Sequence, residues 1–206
     1  MSTPEAVRTA VHKDYEGAKL GMWLFLFTEI LLFGGLFILY SAYRARYPAE
    51  FHDSGAHLNV VIGVANTLIL LTSSLTVAVS ISALRNRNRR LSMLCLSASV
   101  ALGAAFLVDK YIEWSGEIRR GLYPNSPVLR ARTGGEQVFF GLYYSMTGLH
   151  GLHVLAGVGL LTVMLVLVGR NRIHAGDFNR LENSGLYWHL VDVIWIFLLP
   201  LFYLAA

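Results

Sequence analysis

A single cysteine, Cys95, is the whole thiol supply of this 206-residue chain. One thiol cannot close an internal disulfide, and it cannot supply the paired cysteines of a dinuclear copper centre or an iron–sulfur cluster. Charge is scarce as well: Asp, Glu, Lys and Arg make up 15% of the residues, with a formal net charge of +4. That excess is too small and too scattered to imply a nucleic-acid partner. The chain shows no internal repeat and no low-complexity tract. Its polar first twenty residues lack the short apolar core and small-residue cleavage site of a signal peptide, so the first apolar segment is expected to be retained.

Apolar length is what the chain has in quantity. Hydrophobic residues are 55% of the sequence, and the mean hydropathy is +0.52. A hydrocarbon core about 30 Å thick needs roughly 20 apolar residues in a helix. Five stretches meet that length, at about 20–43, 58–84, 91–108, 138–168 and 186–204. They predict an all-α integral membrane protein, a bundle of five transmembrane helices over 20–206 behind a short tail at 1–19. A long polar connection with Pro124, Asn125, Pro127 and Gly134 separates the third and fourth spans.

Five spans put the termini on opposite faces. The N-terminal tail, the Arg85–Arg90 turn and the loop between the last two spans carry ten Lys and Arg, against seven on the other face. The positive-inside rule then places the N-terminus in the cytoplasm and the C-terminus outside. Small residues mark where helices can approach: Ser97, Ala101 and Ala105 recur every four residues in the third span, beside Ser99 and Gly103. The fourth span has Gly141, Gly148, Gly151, Gly157 and Gly159.

Polar residues inside the spans carry the functional signal. Glu29 is the only charged residue between Leu20 and Tyr43. An acidic group at a span's centre costs about 2.5 to 3.5 kcal/mol on insertion scales, so it is expected to face protein or water and to serve proton handling, a subunit contact or an interhelix hydrogen bond. Thr67, Thr72, Ser73 and Ser74 can bond their own backbone, whereas Asn66 is expected to bond a facing helix. His150 and His153 share one helical face. His189 is the other intramembrane histidine, and Asp192, one turn away, is placed to orient its ring or take its proton. Three histidines at different depths fall short of a haem or copper ligand set, so no metal is expected in this chain. Tyr187, Trp188 and Tyr203 read as interface aromatics, with Trp195 packing deeper between helices.

The runs TGLHGLHVLAG (Thr147–Gly157) and YWHLVDVIWIFL (Tyr187–Leu198) closely resemble the signature helices of subunit III of haem–copper terminal oxidases. FTEILLFGG (Phe27–Gly35) and NTLILLTSS (Asn66–Ser74) are similar to two further helices of that family, in the same order. The resemblance runs from Leu20 to the C-terminus and implies the five-span bacterial form, which lacks the first two of the family's seven helices. It implies a non-catalytic subunit in the bacterial cytoplasmic (inner) membrane, with haem and copper in partner subunits I and II. Support of proton uptake, protection of the catalytic subunit, bound phospholipid and a possible place in a respiratory supercomplex are implied in the same way. Glu29 matches the family's carbodiimide-reactive carboxyl, and His153 matches a histidine beside a bound lipid. His150, His189 and Asp192 match polar contacts within the bundle. Two positions depart from the pattern: Lys110 stands where the family carries glutamate, and Ile38 where longer relatives carry tryptophan. Two other readings are an accessory protein of nitric oxide reduction and a freestanding proton-coupled transporter. The transporter is disfavoured by the absence of a repeat.

Overall fold

A computed structural model describes residues 15–204, and the expected N-terminal tail therefore lies outside the described residues up to position 14. The chain is helical nearly throughout: α1 (Tyr15–Arg46), α2 (Pro48–Gly55), α3 (Val60–Arg85), α4 (Arg89–Arg119), α5 (Pro127–Arg130), α6 (Gly134–Gly169) and α7 (Asn179–Leu199). A π-helical turn, Pro200–Leu204, finishes the last span. Five of these helices are long and apolar enough to cross a membrane.

Side-chain caps set several helix starts. Asn59 Oδ1 accepts from the amides of Val61 and Ile62, and Asn88 Oδ1 accepts from Leu91. Thr133 Oγ1 does the same for Glu136 at the start of α6. Arg87, in the turn between α3 and α4, has a φ of 59°. This left-handed residue lets the antiparallel pair reverse within a few residues.

The core is a four-helix arrangement of α3, α4, α6 and α7, to which α1 is loosely added. Buried residues are 50% of the apolar window of α7 but 11% of that of α1. Hydroxyls stitch α3 to α4: Ser80 Oγ meets Ser92 Oγ at 3.0 Å, Thr76 Oγ1 meets Ser99 Oγ at 2.7 Å, and Ser73 Oγ donates to the Ser99 carbonyl. Across the bundle, Trp188 drives its ring between Gly103 and Gly157. A Cβ at Gly103 would stand 2.7 Å from that ring, and one at Gly157 would stand 2.6 Å from it.

The structure corrects the expected small-residue seam. Ser97, Ala101 and Ala105 face outward, while Ser99 and Gly103 are buried. Their neighbours won because hydroxyl pairing and the Trp188 wedge give the buried face a specific partner. On α6, Gly148 meets Trp114 and Gly157 meets Trp188, but Gly141, Gly151 and Gly159 border open space.

The expected third span is also too short. Apolar composition ends at Val108, yet α4 continues to Arg119. Lys110, Glu113 and Glu117 lie at i, i+3 and i+7, one face of a helix, and all three are buried. The helix persists because that polar face turns inward to partners rather than to lipid.

Candidate functional site

Glu29 on α1 and His153 on α6 hold those two helices together. His153 Nε2 is 3.0 Å from Glu29 Oε2, and its Nδ1–H donates to the Leu149 carbonyl at 2.8 Å. That second bond assigns the proton to Nδ1 and leaves Nε2 turned to the carboxyl. The pair is ionic when Nε2 is protonated, and neutral when Glu29 carries the proton and donates it. Both side chains are mostly buried, at 13% and 16% exposure. The ring of Phe33 packs edge-on against His153, and Tyr187 Oη donates to the His153 carbonyl.

Deeper in the bundle the other candidates separate. His150 is fully buried, stacked on Trp195 at 5.2 Å and edge-on to Phe106. Neither of its ring nitrogens has a hydrogen-bond partner. Trp195 packs as expected between helices, its ring 4.9 Å from Phe106 and its Nε1–H donating to Thr67. Asn66 is buried on α3, but the expected bond to a facing helix is not formed, and neither amide atom is paired. His189 does not turn to Asp192 either. Its Nδ1 meets Ser74 Oγ on α3 at 2.5 Å, while Asp192 is buried with no cation paired to it. The reason is register: α3 packs antiparallel along α7 and brings the hydroxyl across to the imidazole.

The interface reading fails for three aromatics. Trp188, Tyr187 and Tyr203 are all buried, because each polar tip finds a partner inside. Trp188 Nε1–H donates to Ser73 Oγ, Tyr187 to the His153 carbonyl, and Tyr203 to Glu113.

Sequence reading missed the densest cluster. Glu113 Oε1 accepts from Tyr143 Oη at 2.7 Å and from Tyr203 Oη at 2.5 Å. Lys110 Nζ donates to Glu113 Oε2 at 3.0 Å and to Tyr203 Oη at 2.7 Å. The ammonium also lies over the rings of Trp195, Tyr143 and Tyr203 at 4.9 to 5.3 Å, within cation–π range. Both charges are saturated by short donors and ring faces. The signal was present in the i, i+3, i+7 spacing of Lys110, Glu113 and Glu117, which a composition-based span boundary cut off.

The three intramembrane histidines do not converge. His153 is engaged by Glu29 and Leu149, His189 by Ser74, and His150 by two rings. Among the described residues no three His, Cys, Asp or Glu side chains form a metal-binding group.

This geometry defines a class: a polytopic α-helical membrane protein with ionisable groups buried inside its bundle. The chain belongs to the cytochrome c oxidase subunit III family, whose model matches residues 5–206. It is 32% identical over 216 residues to a cytochrome c oxidase subunit 3 of Thermostichus vulcanus, covering 100% of this chain and 98% of that protein. Against the cytochrome c oxidase subunit 3 of Alkalihalophilus pseudofirmus it is 30% identical, covering 91% and 86%. A probable quinol oxidase subunit 3 of Staphylococcus haemolyticus is 29% identical, with 96% and 94% covered.

Proposed function

We propose that this chain is the non-catalytic subunit III of a proton-pumping haem–copper terminal oxidase in a bacterial cytoplasmic membrane. Subunits I and II would hold the haem and copper and carry out dioxygen reduction. This chain would support proton uptake, keep the complex stable through turnover, and bind structural phospholipid. The observation that carries this reading is the Glu29–His153 pair. It is an ionisable couple at the seam between the lightly packed α1 and the core, close enough to the surface to feel lipid or a neighbouring subunit.

Chemically the pair can hold one proton in either of two places while remaining hydrogen-bonded, which suits a group that tolerates changes of charge nearby. The N-terminus is assigned to the cytoplasm. Burial of Lys110 inside the cluster removes one of the seven cations counted for the other face, which widens the charge asymmetry.

Affinity purification of the full chain from its native membrane in mild detergent tests the proposal. Copurification of haem-bearing oxidase subunits, with dioxygen consumption driven by cytochrome c or quinol, is expected. A nitric oxide reductase as the stoichiometric companion, or no companion, overturns it.

A further inference from the structure

Between α1, α3 and α7 a cavity of about 420 Å³ opens at the helix ends that carry Arg85. Lys19, Arg85 and Glu182 ring its mouth, joined by ion pairs from Glu182 to both cations. Trp23 and Ala78 line its walls, and His189 lies deepest along α7 among its polar lining. From Glu182 to His189 is about 10 Å along a helix rising 1.5 Å per residue. His189 Nδ1 meets Ser74 Oγ at 2.5 Å. The same hydroxyl is the hydrogen-bonding group that acts on the Asp192 carboxyl. Asp192 is 3% exposed, about 5 Å further along α7, and its oxygens have no partner beyond that hydroxyl.

A buried polar group left unpaired costs about 1–3 kcal/mol, and a lone carboxylate in a membrane bundle costs more. His189, Ser74 and Asp192 thus form an ordered series from an aqueous mouth to a buried acid. We infer that the cavity and the His189–Ser74 pair form a half-channel that admits protons from the Arg85 face to Asp192. A proton arriving from cavity water binds His189 Nε2, and Nδ1–H passes its own proton to Ser74 Oγ. The hydroxyl in turn gives its proton to an Asp192 oxygen, and the imidazole is left neutral in its other tautomer. No charged side chain is paired with Asp192. Its ionisable neighbour on α7 is His189, one turn away, with Ser74 on α3 as the hydroxyl link.

This inference adds a route and a terminus that the proposed function does not contain. Its readout needs no oxidase turnover, so the two can fail separately. The experiment takes the full chain with whatever subunits copurify and records infrared difference spectra of wild type against Asp192→Asn during H2O-to-D2O exchange. A protonated-carboxyl band that vanishes in Asp192→Asn and shifts promptly in D2O is expected. Ala78→Trp, which adds bulk to the cavity wall without removing a polar group, and His189→Phe should each slow that shift about tenfold or more. His189→Gln keeps a polar partner for Ser74 but cannot take up and release a proton, so it should slow the shift as His189→Phe does, and a wild-type rate in it overturns the relay. Exchange as rapid in Ala78→Trp as in wild type, or an Asp192 band that is a permanent carboxylate, overturns the inference.

Discussion

Glu29 and Lys110 are both charges in a membrane span, and the structure gives them different tasks. Glu29 has one partner, His153, and sits at a seam. Glu29→Ala strips His153 Nε2 of that partner, at a cost of about 1–3 kcal/mol for a buried unpaired group. We expect Glu29→Ala complexes to assemble but to lose activity faster during turnover, measured as the decay of oxygen consumption. Glu29→Gln separates shape from charge. Wild-type lifetime in Gln makes the contact a neutral hydrogen bond, equal failure of both variants implicates ionisation, and full lifetime in both removes Glu29 from the mechanism. Lys110 is bonded on every side. Lys110→Met leaves Glu113 as an uncompensated buried charge, a loss of about 3–5 kcal/mol. Lys110→Met combined with Glu113→Leu should recover most of that loss, because removing both partners leaves no bare charge. Thermal unfolding midpoints in detergent check the pair, and additive losses in the double variant would contradict the saturated-pair account.

At the level of elements, α7 organises the bundle. Its Trp188 ring occupies space left by glycines on two other helices, so the fit depends on residues from α4, α6 and α7 at once. A side chain at Gly157 must displace a fully buried indole, and overpacking of this kind costs about 1–3 kcal/mol or more. Gly157→Leu should therefore lower the unfolding midpoint markedly, whereas Gly159→Leu, which meets open space, should not. Equal effects from the two would show that α6 tolerates bulk on either face. The inward polar face of α4 is the second organising feature. It ties α4 to α6 through Tyr143 and to the C-terminal π-turn through Tyr203, while Tyr40 of α1 donates to the Leu201 carbonyl in the same turn.

For the molecule as a whole, the charge asymmetry predicts a topology with the N-terminus in the cytoplasm. A cysteine at Asn125, introduced after replacement of Cys95, should react with a membrane-impermeant thiol reagent only from the outer face. Reaction only from the cytoplasmic side would reverse the assignment. The purified chain separated from partners should show no haem absorption. A haem band at one equivalent per chain would overturn the proposed non-catalytic role.

The sequence alone determined the number of spans, the all-α class, the family and the identity of Glu29, His150, His153, His189 and Asp192 as intramembrane polar residues. Each of these is a local property: apolar length sets a span, and a charged or imidazole side chain within it is visible in one dimension. Pairing is not local. Nothing near Glu29 in the chain names His153, which lies 124 residues away, and nothing near His189 names Ser74 over Asp192. Only helix register decided those partners. The same cause hid the end of α4, because Lys110 and Glu113 look like the end of a span until Tyr143 and Tyr203 arrive from other elements to solvate them. Partners for Glu29, His189, Lys110 and Glu113 come from distant parts of the chain, so it was the tertiary structure, by supplying them, that decided where these polar residues belong.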